Sequence, residues 1–388
     1  MKVMVLGYDG YIGYPLTQHL LKRGHEVFGI DNGSRRQRVK DLESNSLTPI
    51  ADFYLRKSRL ASNKNWLGAV PINIGIDTAV YLKHILQRIK PDAIVHLAEQ
   101  PSAPWSMKSP FNASITQKEN VIGTLHLLWA MKDKCPEAHL VKLGTMGEYG
   151  TPECDIPEGV VPRGCIDPEV NKHVAVNCPM SGLLFPRSPG SFYHLSKVHD
   201  THNIHFACNN WGLRSTDIMQ GIVFGLNDCK NELDLTRFDY DECFGTAINR
   251  FCAQALAGIP LTVYGSGNQT RGFLPLKDSI QCLTIALEKP PELGEYRTLN
   301  QFENIYSINE LANMVAKSCE LTVSIQHLEN PRKEAEKHYY NPDHDKLFEL
   351  GYKPTTDIEG EIIKLLCALR PYKDRIKEHV IMPRVNWR

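Results

Sequence analysis

The sequence predicts an α/β protein with a doubly wound parallel sheet and a smaller C-terminal α/β domain. Over the first 150 residues, short apolar runs alternate with longer amphipathic stretches, and a glycine-rich turn follows the first apolar run. Such alternation is typical of a parallel sheet that helices cover on both faces. With 388 residues, the chain can form one large domain or two closely packed ones.

Short apolar runs predict the strands, and apolar residues at helical spacing predict the helices. In the first part of the chain the predicted strands are 2–6, 26–30, 93–97, 139–143 and 213–219, and the predicted helices are 11–23, 78–89, 112–133 and 192–211. Residues 151–191 are rich in Pro, Gly and Cys without a clear period, which predicts a long loop or lid. Beyond residue 220, the predicted helices are 243–258, 278–288, 307–318 and 358–370, with strands at 321–326 and ending at Gly265. We therefore divide the chain into residues 1–220 and 221–388.

The composition argues against several classes of function. Lys+Arg and Asp+Glu both number 44, whereas nucleic-acid binders usually carry a basic excess. The eleven cysteines are scattered without a CxxC pair, which is typical of reduced thiols in a cytosolic protein. The sequence shows neither a signal or transit segment nor an apolar run near the ~20 residues of a membrane span. We therefore expect a soluble, cytoplasmic protein.

The glycine-rich turn reads Gly7-Tyr-Asp-Gly10-Tyr-Ile-Gly13 and lies between the first predicted strand and helix. Its glycines permit a tight turn, close approach of a pyrophosphate and close packing of helix on strand. Asp31 ends the second predicted strand, at the distance where an acidic residue binds the adenosine ribose hydroxyls. The pattern predicts a Rossmann-type dinucleotide-binding domain over residues 1–220.

The choice between NAD and NADP depends on the residues around Asp31. Its carboxylate favours NAD because it would repel a 2′-phosphate, whereas Arg35 and Arg36 follow closely and could accept that phosphate. We favour NAD, with the two arginines stacking on the adenine or binding another phosphate.

A second motif, Tyr193-His-Leu-Ser-Lys197, places a phenol and an ammonium on one face of a predicted helix. A nearby ammonium lowers the pKa of a phenol, so that a tyrosinate could remove a proton from a substrate hydroxyl during hydride transfer. Thr145 stands at the end of the preceding predicted strand. The three residues predict redox chemistry at a carbon that bears a hydroxyl group.

Together, the glycine turn, Thr145 and the Tyr193–Lys197 pair resemble the extended short-chain dehydrogenases/reductases, and within them the UDP-sulfoquinovose synthase family. The resemblance covers nearly the whole chain and is strongest in Ser46–Ala51, Leu140–Pro152, Ser191–Asp200, Phe238–Asp241, Asn330–Arg332 and His338–Asn341. It implies conversion of UDP-glucose and sulfite into UDP-sulfoquinovose through 4-keto and 5,6-ene intermediates, with NAD recycled. It also implies a homodimer formed through the helices 112–133 and 192–211.

The resemblance assigns further residues to the two binding sites. For the cofactor they are Gly7, Gly10, Tyr11, Ile12, Gly13, Asp31, Asn32, Arg35, Arg36, Ile76, Asp77, Leu97, Ala98, Gln100, Asn120, Thr145, Tyr193 and Lys197. For the nucleotide sugar they are Thr145, Tyr193, Gln220, Arg250, Gln269, Thr270, Arg271 and Arg332, of which the arginines suit a diphosphate. Gln220 and Arg250 could instead be surface residues.

The residues after Thr145 differ from those of ordinary nucleotide-sugar 4,6-dehydratases. Those enzymes resemble Thr-Asp-Glu here, with the Asp as acid for the leaving hydroxyl and the Glu as base at carbon 5. This chain has Met146 and Gly147 at those two positions, and its carboxylate comes one residue later, at Glu148. We place Met146 in the catalytic site and assign the acid/base work to Glu148, His194 or water. Glu148 could instead be an exposed strand-end carboxylate, and His194 a packing histidine.

Two departures from the family leave parts of the site open. Pro101 stands where plant members carry an Arg, and Asn73–Asp77 lacks the first Asp of the family's adenine-contacting loop. The segment 159–185 also fits the family poorly.

The rival functions are a 4-epimerase or 4,6-dehydratase without sulfur chemistry, and a non-catalytic NAD-binding protein.

Three histidines, His199, His202 and His205, follow one another on the predicted helix 192–211. Metal ligation is conceivable, but the helical turn carries the third away from the first and no carboxylate cluster accompanies them. We therefore predict a structural or interface role and no metal.

Overall fold

The computed structural model describes residues 1–72, 79–161, 166–167, 172–173, 182–332, 339–355 and 357–385. Its largest sheet has seven strands: β1 (Lys2–Leu6), β2 (Glu26–Ile30), β3 (Trp66–Val70), β4 (Ala93–His96), β5 (His139–Leu143), β8 (Arg214–Gln220) and β12 (Tyr296–Gln301). All neighbouring pairs are parallel, in the order β3-β2-β1-β4-β5-β8-β12. The strand order reverses between β1 and β4, where such sheets form a ligand crevice at the carboxyl ends of the strands.

Helices cover both faces of this sheet. The helices of the described chain are α1 (Gly13–Lys22), α2 (Ser34–Asp41), α3 (Phe53–Leu60), α4 (Ala79–Ile89), α5 (Ala103–Ser106), α6 (Pro110–Gln117), α7 (Gly123–Lys134), α8 (Phe192–Trp211), α9 (Ala247–Ala257), α10 (Leu276–Glu288), α11 (Ile308–Ser318), α12 (Asp345–Glu349) and α13 (Ile358–Leu369). Because side chains alternate along a strand, β1 sends Val3 and Val5 into a core with α1 and α10, and Met4 and Leu6 into one with α4, α7 and α8. The predicted doubly wound parallel sheet is confirmed.

A second core lies in the smaller part of the molecule. There β9 (Ile222–Phe224), β11 (Thr270–Pro275) and β13 (Asn304–Ser307) form a three-stranded sheet, while β10 (Leu261–Tyr264) pairs with β14 (Ile325–Leu328). Helices α9, α11 and α13 pack together around the apolar side chains of this region. Two short strands, β6 (Ile166–Asp167) and β7 (Lys172–His173), pair within the predicted loop 151–191.

Two elements after residue 220 belong to the larger sheet. Strand β12 pairs with β8, and α10 packs in the same core as α1. The division at residue 220 stays a prediction, and the chain crosses between the two parts more than once.

Several predicted bounds were wrong. The helix predicted at 112–133 is present as a continuous helical run from α6 through α7, with a π-helical turn at Lys118–Ile122 between them. The helix predicted from residue 243 begins at Ala247, because the Asp241 carboxylate accepts the backbone N–H groups of Cys243 and Phe244 in a turn instead. The predicted strand 321–326 lies later, at β14. Short or polar segments such as Tyr296–Gln301 lack an apolar period, and for this reason α2, α3, α5, α12, β3, β6, β7, β9, β11, β12 and β13 were not predicted.

Candidate active site

A cavity of about 870 Å³ opens at the carboxyl ends of the central strands. One wall comes from the turns after β1, β2, β4 and β5 and from the start of α8, and the other from the smaller part of the molecule. Most of the predicted site residues line it, from both halves of the chain. A cavity of this size at the switch point of a parallel sheet is suited to a cofactor together with a substrate.

The glycine-rich turn forms the floor of the cavity at the end of β1. Gly7 has φ +85°, and a Cβ there would lie 2.8 Å from the carbonyl carbon of Leu97. At Gly13 a Cβ would lie 1.9 Å from the oxygen of Gly7. Tyr11 and Ile12 also line the cavity. The packing therefore requires glycine at both positions and leaves the start of α1 facing the cavity, as pyrophosphate binding needs.

Asp31 lies at the end of β2, and its carboxylate accepts the backbone N–H groups of Asp9 (2.9 Å) and Gly33 (2.7 Å). Burial, together with the Asp9 carboxylate, raises the pKa of Asp31 to about 6. Asp31 and Asn32 both line the cavity. A carboxylate is thus held at the position that recognises ribose hydroxyls.

The two arginines after Asp31 are both engaged by carboxylates. Arg36 binds Asp9 through two hydrogen bonds of 2.6 and 2.8 Å. Arg35 binds Asp239 at 3.0 and 2.8 Å and stacks on the Phe244 ring, 3.6 Å from its centroid. These partners occupy the guanidinium groups that could otherwise bind a 2′-phosphate, which favours NAD.

The remaining predicted cofactor residues fall into three groups. Leu97 and Ala98, after β4, line the cavity. Gln100 and Asn120 are buried behind it, where the Asn120 amide oxygen accepts the backbone N–H of Gln100 at 2.8 Å. Ile76 and Asp77 lie outside the described residues.

Thr145, Tyr193 and Lys197 all line the cavity. The Lys197 Nζ lies 5.7 Å from the centroid of the Tyr193 ring. Burial raises the pKa of the phenol to about 12, although Lys142 and the Thr145 side chain act to lower it. The sequence-based expectation of a lowered pKa is therefore wrong, because burial outweighs the nearby positive charge.

His194 takes the space that a side chain at position 147 would need. A Cβ on Gly147 would lie 2.4 Å from Nε2 of His194 and 2.5 Å from its Cδ2. The other ring nitrogen, Nδ1, lies 3.1 Å from the hydroxyl of Ser191. Burial, with the positive charges of Arg332 and Arg271, lowers the pKa of His194 to about 3, so the imidazole is neutral. Met146 lies beside it in the cavity wall.

Glu148 is fully buried and lies behind the cavity wall rather than in it. Its carboxylate is 3.4 Å from the backbone N of Thr145 and accepts the Thr201 hydroxyl at 2.9 Å. The Thr201 hydroxyl also lies 2.7 Å from the Asp217 carboxylate. Because a hydroxyl can donate its one proton to only one of the two carboxylates, a hydrogen bond to the other requires a second proton on a carboxyl group. Burial and the Asp217 charge raise the pKa of Glu148 well above its usual range. Arg187 Nε, 3.5 Å from the carboxylate, acts to lower that pKa. Glu148 thus caps the turn that carries Thr145, and its raised pKa favours the protonated form.

Three arginines meet at the other end of the cavity. Arg250, Arg271 and Arg332 all line it. Burial and the charges of Arg271 and Arg250 lower the pKa of Arg332 to about 10. Converging guanidinium groups of this kind suit a diphosphate. Gln220 and Gln269 line the same cavity, whereas Thr270 lies in β11 outside its wall.

Sequence reasoning missed Glu99, which also lines the cavity. Its side chain is 2% exposed and contacts the ammonium groups of Lys197 and Lys142. A charged residue directly after the buried strand β4 was a usable signal, because the carboxyl ends of parallel strands are where ligands bind.

Two further features of the described residues concern metal binding and membrane insertion. Within those ranges, no group of His, Cys, Asp and Glu side chains could hold a metal ion. No helix in the same part of the chain is long and apolar enough to cross a membrane.

Sheet topology, glycine turn and cavity define a dinucleotide-binding enzyme fold, and a family model supports this assignment. Residues 3–300 match the model described as the NAD dependent epimerase/dehydratase family, and the chain belongs to that family. It is 44% identical, over its whole length, to UDP-sulfoquinovose synthase of Sulfolobus acidocaldarius, of which the match covers 98%. It is also 44% identical over its whole length to the chloroplastic UDP-sulfoquinovose synthase of Spinacia oleracea, of which the match covers 79%.

Solved structures show the same fold. UDP-glucuronic acid 4-epimerase from Bacillus cereus, in complex with UDP-glucuronic acid and NAD, superposes with a TM-score of 0.69. The match covers 96% of this chain and 99% of that structure, at 24% identity.

Proposed function

We propose that the protein is an NAD-dependent enzyme that converts UDP-glucose and sulfite into UDP-sulfoquinovose and forms a carbon–sulfur bond. The observation that carries this is the replacement of the dehydratase carboxylates: His194 fills the space beside Gly147, and Met146 stands at the position of the acid. The 44% identity to two UDP-sulfoquinovose synthases over the full chain supports the same reaction.

The residues fit NAD as the cofactor. The glycine turn would hold the pyrophosphate, Asp31 the adenosine ribose, and Tyr193 and Lys197 the nicotinamide half. When bound, NAD accepts a hydride from carbon 4 of the sugar and returns it at the end of the cycle. Because Arg35 and Arg36 are held by Asp239 and Asp9, a 2′-phosphate would have to displace buried ion pairs.

The first step is the removal of the 4-hydroxyl proton by Tyr193. The Thr145 side chain acts to lower the pKa of the phenol, and Lys197 supplies positive charge near it. The resulting 4-ketone acidifies the proton on carbon 5, and we assign its removal to His194, which lines the cavity. The ring's low pKa arises from burial and from Arg332 and Arg271, so a diphosphate on these arginines would raise the basicity of His194.

Loss of water from carbon 6 then gives a conjugated 5,6-ene. Sulfite adds at carbon 6 while carbon 5 takes up a proton, and Tyr193 returns its proton to the 4-oxygen when the ketone is reduced. Met146 offers no proton here, so the departing hydroxyl takes its proton from His194 or from water. Glu148 acts on this chemistry through the backbone of Thr145, which it caps.

The test compares the products formed in the presence and in the absence of sulfite. The purified protein is incubated with UDP-glucose, with and without sulfite, and the nucleotide sugars are identified by mass spectrometry. A sulfonated product that requires sulfite is expected. A 4-epimer or a 4-keto-6-deoxy sugar formed regardless of sulfite would establish the 4-epimerase or the dehydratase, and failure of bound NAD to be reduced by any UDP-sugar would favour a non-catalytic NAD-binding protein.

A further inference from the structure

Two buried lysines share one carboxylate behind the active site. The Lys197 ammonium donates to the carbonyl oxygen of Leu143 at 2.7 Å and contacts the Glu99 carboxylate. Lys142 Nζ lies 3.1 Å from the other oxygen of Glu99 and 3.3 Å from Asp200. The side chains of Lys142, Glu99 and Lys197 are at most 5% exposed. This row of alternating charges runs from the cavity to the interior of the sheet.

A buried ammonium keeps its charge only if a partner offsets its lost hydration. Burial lowers the pKa of Lys197 to about 8, even though Asp200 and Asp217 act to raise it. Burial therefore opposes the charge on this lysine, and a carboxylate in direct contact with it offsets that effect.

The groups that face this pair come from each surrounding element. Strand β4 supplies His96, whose pKa is well below its usual value because of burial and the two lysines, so it is neutral. From α7, only the uncharged hydroxyl of Thr124 faces the carboxylate, 3.5 Å from it. The charged or titratable groups on the remaining elements are Lys142 on β5, Glu148 in the turn after β5, Tyr193, Lys197 and Asp200 on α8, and Asp217 on β8. Glu99 is the carboxylate in direct contact with Lys197.

We propose that Glu99 is a positioning residue for the reaction, which holds the charged Lys197 against the carbonyl of Leu143 and within reach of Tyr193. Lys142 holds the carboxylate from its other side and so prevents Glu99 from turning into the cavity. This role rests on the proposed function, since it assigns Glu99 to the lysine of that reaction. Glu99 also lines the cavity, so its negative charge limits how far the positive potential of Lys197 extends towards an anionic substrate.

The first test is the pH dependence of turnover in Glu99→Gln and Glu99→Asp. Without the carboxylate, Lys197 loses its proton more easily, so the basic limb of kcat should move down by about 1–3 pH units, the effect of a close opposite charge. At pH about 8, kcat should fall about fivefold for a shift of one unit and more for a larger shift, with little change in KM for UDP-glucose, and Glu99→Asp should recover most of it. A basic limb at the wild-type pH in Glu99→Gln would overturn the proposal.

A second measurement needs no turnover and separates this proposal from the proposed function. The melting temperature of Glu99→Gln is compared with wild type across pH about 7–10, where a lysine with a lowered pKa binds fewer protons folded than unfolded. Stability then rises with pH. The decrease in melting temperature caused by Glu99→Gln should therefore be largest near neutral pH and should shrink as Lys197 deprotonates. In the Lys197→Met background, the same substitution should give a deficit independent of pH. A pH-independent deficit with Lys197 present would mean that Glu99 only fills space, whatever the substrate.

Discussion

Replacing Gly147 by alanine would place a methyl carbon 2.4 Å from Nε2 and 2.5 Å from Cδ2 of His194. Ordinary carbon contacts are about 3.5–4.0 Å, so the ring would have to move by about 1 Å. The buried helix α8 carries the ring, and Ser191 holds its Nδ1 at 3.1 Å. The ring is therefore expected to rotate out of its position rather than carry the helix with it.

A displacement of about 1 Å at a reacting group costs on the order of a hundredfold in rate. We expect Gly147→Ala to reduce formation of the sulfonated product by about that factor. The first half-reaction depends on Thr145, Tyr193 and Lys197, so reduction of bound NAD by UDP-glucose should continue and the 4-keto intermediate should accumulate. Stopped-flow absorbance of NADH and mass spectrometry of quenched mixtures measure the two steps separately.

Two controls isolate the steric effect. Gly190→Ala adds the same methyl group near the start of α8, where nothing lies within 4 Å of the new carbon, and should leave both steps at the wild-type rate. In a double-mutant cycle, Gly147→Ala should add little to the loss already caused by His194→Ala, because both act on one ring. Full product formation in Gly147→Ala, or fully additive losses in the cycle, would refute the assignment of His194 as the base.

Four further predictions concern other parts of the molecule. Tyr193→Phe should reduce NAD reduction by UDP-glucose about 10²–10⁴-fold, as for loss of an acid/base group, and unchanged reduction would exclude Tyr193 as the base. Glu148→Gln should retain product formation at neutral pH, and a large loss of turnover would instead make Glu148 the acid/base. Between the ordinary carboxyl pKa and the raised pKa of Glu148, only the unfolded wild-type protein loses this proton, so its melting temperature falls as the pH rises. Glu148→Gln should remove that fall. Arg332→Met should raise KM for UDP-glucose by about 10–100-fold, from loss of a charged hydrogen bond, with equilibrium binding of UDP as the check. If the exposed Trp129 and Phe206 lie in a homodimer interface, replacing Phe206 by Glu should halve the mass seen by analytical ultracentrifugation, and an unchanged mass would exclude that interface.

Sequence alone determined the parts of the fold and site that depend on local spacing. The glycine turn between β1 and α1, Asp31 at the end of β2 and the Tyr193–Lys197 pair on α8 lie where the sequence predicted them. Helix α8 was predicted with its actual bounds, residues 192–211. Such features are local because a turn, a strand end or an i, i+4 pair is fixed by a few neighbouring residues.

Only the tertiary structure decided how distant side chains pair. The sequence left open whether Glu148, His194 or water does the acid/base work, and the fold turned the Glu148 carboxyl inward to Thr201 while His194 lines the cavity. Likewise, Asp239 is 204 positions from the Arg35 that it engages, and Glu99 meets Lys197 only because β4 and α8 converge. Buried charges require partners, and which partners are available depends on packing between elements far apart in the chain, which periodicity and spacing do not encode.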